Sequence, residues 1–128
     1  MPVELTPRLQ KDHLKIVLTG QRTLGQEGQE GIRIWTEITR LCEASNMNRI
    51  LVRSKIEGRI PPSSMFEVAE AIDKLSFGKD FKIAGVGSNQ IEYANLTFFE
   101  NCASRLNYKI KLFLSESEAL KWLLKKSH

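Results

Sequence analysis

Residues 49–75 read Arg49-Ile50-Leu51-Val52-Arg53-Ser54-Lys55-Ile56-Glu57-Gly58-Arg59-Ile60-Pro61-Pro62-Ser63-Ser64-Met65-Phe66-Glu67-Val68-Ala69-Glu70-Ala71-Ile72-Asp73-Lys74-Leu75. Three consecutive apolar residues, Ile50, Leu51 and Val52, suit a central strand covered on both faces. A polar, turn-rich loop follows over 53–63, and Pro61-Pro62 breaks any structure before it. Ser64 and Glu67 have the spacing of a capping box, in which the hydroxyl takes a helix N–H and the carboxylate reaches back. A helix is therefore expected to open at Ser64. Met65, Val68, Ala69, Ile72 and Leu75 recur at three-and-four spacing and form its buried stripe.

The same unit recurs on both sides of this stretch. Downstream, residues 81–86 form a strand, Gly87-Ser88-Asn89 a loop, and Asn89 with Glu92 repeats the capping spacing. The helix that follows is expected to turn Ile91, Ala94, Asn95, Phe98, Cys102 and Leu106 inward. A last strand over 108–114 alternates Ile110, Leu112 and Leu114 with Lys109, Lys111 and Phe113, and Ser115 with Glu118 caps a final helix over 116–125. Upstream, 13–19 alternates Leu14, Ile16 and Leu18 with Lys15, Val17 and Thr19. A helix over about 29–44 follows, with Gly31, Ile34, Trp35, Ile38, Leu41, Cys42 and Ser45 on one face. A short first strand over 3–9 contains Pro7, which confines it to a sheet edge. Alternating β and α units predict a mostly parallel sheet of four to five strands with about four helices. The two alternating strands, 13–19 and 109–114, predict that one sheet face carries most of the helices. The other face is expected to be partly open and to bear Val17 and Phe113.

The totals limit the function classes. The 128 residues, 41% hydrophobic and 27% charged, fit a single domain over 1–128 with a real core. No apolar run is long enough to cross a membrane, and the N-terminus lacks a signal-peptide pattern, so a cytoplasmic protein is expected. The net charge of +4 is spread along the chain, which argues against nucleic acid as a partner. Cys42 and Cys102 fall on apolar helix stripes without CxxC spacing and read as core thiols.

The segment Arg105-Leu106-Asn107-Tyr108-Lys109-Ile110-Lys111-Leu112-Phe113-Leu114-Ser115-Glu116-Ser117-Glu118-Ala119-Leu120-Lys121-Trp122-Leu123 resembles the closing strand and helix of SpoIIAA-like proteins, also called STAS/SEC14-like. A basic, apolar strand ending near Phe, a short acidic turn and an Ala-Leu-x-Trp-Leu helix carry the likeness. Residues 15–20, a long helix and residues 49–54 resemble the first half of a STAS domain. The resemblance implies a β-α superhelix, often dimeric, that binds a partner or ligand and catalyses nothing. Classical members that antagonise anti-sigma factors carry an Asp-Ser pair before the second helix, and the serine is phosphorylated. The matching positions here are Pro62-Ser63-Ser64-Met65. Ser63 and Ser64 are candidate phosphorylation sites, the aspartate is absent, and capping by Ser64 accounts for the serine without a switch.

Catalytic patterns are missing from the sequence. His13 and His128 have no second ligand at metal spacing, and no serine sits in a G-x-S-x-G elbow. Gly85-Val86-Gly87-Ser88-Asn89 lacks the third glycine of a dinucleotide fingerprint and the lysine of a P-loop. The carboxylates read as caps and solvated faces. No cofactor is expected. One constellation remains, because ligands of open parallel sheets bind outside the carboxyl ends of the strands. Those ends lead into Arg22, into Arg53, Lys55 and Arg59, and into Ser88 and Asn89. Together with three helix N-termini they would face one rim and favour an anion or an acidic partner surface. The expectation is a non-catalytic regulatory or binding domain, dimeric, engaging a protein partner or a small amphipathic ligand. A phosphoswitch at Ser63 or Ser64, an enzyme on an anionic metabolite and lipid transfer through an apolar cavity are the alternatives.

Overall fold

The computed structural model describes residues 3–58, 60–74, 81–87, 89–105 and 108–125. In chain order the elements are β1 (Glu4–Leu9), β2 (Leu14–Gln21), α1 (Glu27–Ser45), β3 (Arg49–Glu57), α2 (Pro62–Lys74), β4 (Lys82–Gly87), α3 (Gln90–Arg105), β5 (Lys109–Phe113) and α4 (Glu116–Leu124). The five strands lie side by side in sequence order, β1-β2-β3-β4-β5. β1 pairs antiparallel with β2, and every later pair is parallel. Pro7 thus stands on an edge strand, where its missing N–H costs no ladder bond.

The register divides the sheet into two faces. Ile16, Val52, Gly85 and Leu112 lie in one row across β2 to β5. This face packs under α1, α2 and α3 and forms the main core with Ile34, Ile38, Val68, Ile72 and Phe99. The opposite face carries Leu51, Ala84 and Val86, and α4 covers them with Ala119 and Leu123. Ile50, Leu51 and Val52 are all buried, so β3 is sandwiched as its apolar run predicts. The uneven covering also holds, because α4 packs on β3, β4 and β5. Val17 remains half-buried on the uncovered part. Phe113 instead sits beneath α4, its ring 5.8 Å from that of Trp122.

Several local expectations shift. α2 starts at Pro62, two residues before Ser64, and the Met65 N–H donates to Pro61 O at 3.1 Å. Proline at the first helical position loses only an N–H that would be orphaned anyway, so Ser64 lies inside the first turn and is not the cap. The other two capping assignments hold. Asn89 Oδ1 accepts from the Glu92 N–H at 2.8 Å, and the Ser115 hydroxyl accepts from the Glu118 N–H at 3.5 Å. α1 ends at Asn46, whose φ of 55° is left-handed, a conformation asparagine tolerates. Leu75 and Leu106 lie outside the described residues.

The inner face of α3 is rotated from the expected one. Glu92 and Phe99 are buried, whereas Ile91 and Phe98 are exposed. Both cysteines are free; burial pushes the Cys42 thiol up to about 11, and Cys102 is half-buried.

Candidate functional site

The carboxyl-terminal parts of β2 and β3 and the first turns of α3 hold a buried polar cluster. Arg22 leaves β2 directly after Gln21, and its N–H is fixed to Glu57 O at 3.0 Å. Its side chain folds inward onto Glu92, with Nη1 to Oε1 at 2.7 Å and Nη2 to Oε2 at 3.0 Å. The two side chains are 9% and 1% exposed, so the pair is almost dry. The Ser54 hydroxyl also donates to Glu92 Oε2, and Asn95 Nδ2 donates to Oε1 at 3.1 Å. Each carboxylate oxygen therefore accepts two hydrogen bonds, which fills the capacity of the group. Gly58 O takes bonds from Arg22 Nη1 at 2.9 Å and Asn95 Nδ2 at 3.2 Å. Gly58 has φ of 103°, a conformation that favours glycine and turns its carbonyl toward the cluster.

This arrangement fastens the β2 end and β3 to one helix and leaves the carboxylate no free lone pair. A carboxylate so saturated is a bolt and not a waiting base. A buried pair is tolerable because its geometry is bidentate and every remaining site is satisfied.

Arg22 and Arg53, two of the cations expected at one rim, turn to opposite faces of the sheet. Arg53 and Ser54 are neighbours on β3, and strand alternation sends them to opposite faces. Arg53 emerges on the α4 face, where Nη1 meets Glu116 Oε1 at 2.9 Å, and Lys15 Nζ holds Glu116 Oε2 at 3.1 Å. Burial alone would raise the Glu116 carboxyl. The bonds from Lys15 and Arg53 outweigh it and hold the group below its ordinary value. Among the described residues the Arg53 Nε is buried without a partner. Lys55 is exposed on the same face as Arg53, and Asn89 is exposed but engaged as the α3 cap. Arg59 and Ser88 lie outside the described residues. Ser63 is exposed and Ser64 half-buried in the first turn of α2.

Sequence reasoning missed Glu92, Ser54 and Asn95 as a unit. The usable signal was Ser54 in alternation with the apolar Val52 and Ile56, which puts its hydroxyl on a buried strand face where it needs a partner. Among the described residues no group of three or more His, Cys, Asp or Glu side chains is placed to hold a metal ion, and no helix is long and apolar enough to cross a membrane.

Solved structures supply the comparison. The chain superimposes on an anti-sigma factor antagonist from Mycobacterium paratuberculosis with a TM-score of 0.66, over 97% of this chain and 96% of that one, at 9% identity. It also matches an uncharacterised protein of the DUF3478 family with a SpoIIAA-like fold from Shewanella loihica PV-4, with a TM-score of 0.52 over 94% and 93% of the two chains, at 16% identity. The chain has a SpoIIAA-like (STAS) fold. No protein-family model and no curated protein matches the sequence. In this SpoIIAA-like fold the elements follow the chain order expected from the sequence, and the sheet order, which the sequence leaves open, is β1-β2-β3-β4-β5.

Proposed function

We propose that this chain is a non-catalytic regulatory domain, a single unit over residues 1–128, that docks a protein partner at the carboxyl end of its sheet. One observation carries this reading. Leu24 follows β2, Phe66 lies in the second turn of α2 after β3, and Ile91 lies in the first turn of α3 after β4; they are 93%, 55% and 50% exposed. Topology brings these three apolar side chains to one end of the sheet, and Leu114, which follows β5, is exposed at the same end. Clustered apolar exposure on loops held by a rigid scaffold suits a protein interface. The Arg22–Glu92 cluster lies beneath these loops and keeps their spacing fixed. The neighbour from Mycobacterium paratuberculosis is an anti-sigma factor antagonist, and the reading places this chain in the same broad class of regulators. It includes a cytoplasmic homodimer, which sedimentation equilibrium tests; a monomer at every concentration removes that part.

The test is affinity capture from native cells, followed by reconstitution with the purified partner. Leu24→Glu with Phe66→Glu, at unchanged melting temperature, is expected to weaken binding at least tenfold, as loss of central apolar anchors does. Equal affinity of variant and wild type sinks the reading.

A phosphoswitch is the second reading, favoured by the position of Ser63. It is exposed at the second position of α2, where helix N–H groups lack intrahelical partners and a phosphate is electrostatically welcome. Ser64, half-buried one residue on, is the alternative acceptor. Mass spectrometry of protein from native cells should then find a phosphate on 63 or 64, and Asp at Ser63 should change partner affinity; an unmodified protein with indifferent Ser63→Asp and Ser63→Ala variants ends it.

A further inference from the structure

Three parallel strands open on a basic residue: β3 on Arg49, β4 on Lys82 and β5 on Lys109. The register pairs Arg49 with Lys82 and Lys82 with Lys109, so the three stand in one row across the amino end of the sheet. Strand alternation puts the row on the face of Leu51 and Ala84, which α4 covers. Neighbouring strands are about 4.8 Å apart, so the row is about 10 Å wide. The end of α4 fixes its centre. Lys82 Nζ donates to Trp122 O and, at 3.3 Å, to Lys125 O, and it lies 4.5 Å from the centre of the Trp122 ring. Burial first, and then the charges of Arg49, Lys109 and Lys125, hold the Lys82 ammonium below its ordinary value.

Cations from three strands and the end of α4 thus meet at one place, though the sequence scatters them. Like charges set opposite one another on neighbouring strands are destabilising. Part of the charge is answered within the chain. The helix C-terminus favours the Lys82 cation, and so does the face of Trp122. Asp12, on the turn before β2, feels the charge of Arg49, but its carboxylate is bonded to His13. Arg49 is half-buried, and Lys109 and Lys125 are exposed. Among the described residues none of these three side chains is held by a hydrogen bond or an ion pair. The row is an accessible surface of one sign.

Spacing and surroundings narrow the partner. Among the described residues no large apolar side chain is exposed at this end of the α4 face, so a lipid surface would find no anchor to bury. Lys82 and Phe113 both pack against the Trp122 ring, which leaves it unavailable for stacking on a nucleotide base. Cations about 4.8 Å apart along a line match carboxylates at i and i+4 on a helix, which are about 5–6 Å apart. We propose that the row of Arg49, Lys82 and Lys109, extended by Lys125, docks an acidic helical segment of a protein partner. Complementary charge of this kind speeds encounter and fixes orientation. The row lies at the opposite end of the sheet from the exposed rim, so it is a second surface and does not rest on what the rim docks.

Two labelled Ala-rich helical peptides of one composition form the test. In one, Glu recurs at every fourth position along one face; in the other, the same Glu residues are dispersed around the helix. Fluorescence anisotropy at about 10 mM salt, where the Debye length is about 30 Å, is expected to show the aligned peptide bound at least threefold more tightly. At about 150 mM salt, where that length is about 8 Å, its affinity should fall. Arg49→Gln with Lys109→Gln should weaken binding of the aligned peptide at least fivefold and melt no lower than the wild type, because the free chain loses only repulsion. Leu24→Glu with Phe66→Glu should bind the peptide as the wild type does, which separates this surface from the rim. Equal affinity for the two peptides, wild-type affinity in the Arg49→Gln, Lys109→Gln protein, or no binding overturns the proposal. So does tighter binding of single-stranded oligothymidylate or of phosphatidylserine vesicles at equal charge concentration. If the Arg49 change unfolds the chain, Lys109→Gln with Lys125→Gln, both at exposed positions, is read in its place for the same loss.

Discussion

Glu92 shows how a residue can be read correctly in its backbone role and wrongly in its side-chain role. Its N–H takes the Asn89 cap, as the spacing of the two residues predicts. Its carboxylate does not reach back to the cap but lies buried against Arg22, 70 positions away in sequence. Local pattern carries the first fact and long-range packing the second. Removing one partner of a buried pair strands the other charge, so Glu92→Ala is expected to cost about 3–5 kcal/mol. Arg22→Met combined with Glu92→Leu should lose less than the sum of the single changes, which urea denaturation in a double-mutant cycle measures. Strict additivity would show that the two groups do not act as a pair. The same logic separates two of the cations expected at one rim. Arg22 follows β2 and Arg53 lies within β3, and one is turned inward to Glu92 and the other to Glu116 on the far face.

At the element scale, α1 and α2 were legible because their stripes are uninterrupted: Ile34, Ile38 and Cys42 on one, Met65, Val68, Ala69 and Ile72 on the other. α3 was not, because its most buried side chain is charged and two large apolar residues, Ile91 and Phe98, face outward. The α1–α2 contact is close at Gly31, where an added Cβ would stand 2.7 Å from Val68 Cγ2. Helix propensity alone would make Gly31→Ala stabilising by up to about 1 kcal/mol. The overpacking is expected to reverse the sign, with a net loss of about 1–3 kcal/mol. Val68→Ala should make the added methyl tolerable, so that Gly31→Ala becomes harmless in that background; an unchanged penalty would place the clash elsewhere. α4 offers a second test, through pH. The Glu116 carboxyl is depressed from its usual 4.5 in the folded chain. Its stabilising effect is therefore full above the unfolded value and is lost as pH falls through the lower, folded one. Between about pH 6 and about pH 3, Glu116→Gln should lose less stability than the wild type, by roughly 0.5–1 kcal/mol for a partly exposed pair. Parallel stability curves for the two proteins would remove the contribution of Glu116.

For the whole molecule, the layer arrangement was legible because it follows from the chain order of β and α units and from the contrast between the buried run at 50–52 and the alternating strands. The basic row was not, since it is the joint result of the register of β3, β4 and β5, and none of Arg49, Lys82 and Lys109 signals it alone. The covering of β3 on both faces and the exposure of β1 predict a gradient of opening free energy. Amide hydrogen exchange should find residues 50–52 exchanging only on global unfolding and residues 4–9 exchanging far sooner; uniform protection across the sheet would contradict this. The unbroken strand order has a temporal meaning as well. Each strand after the first is laid beside the one synthesised just before it, so a chain emerging from the ribosome never waits for a distant segment to complete its sheet. Growth is directional, from the opening hairpin to α4. That last helix then seals β3, β4 and β5 from the far side and joins the end of the chain to strands made much earlier.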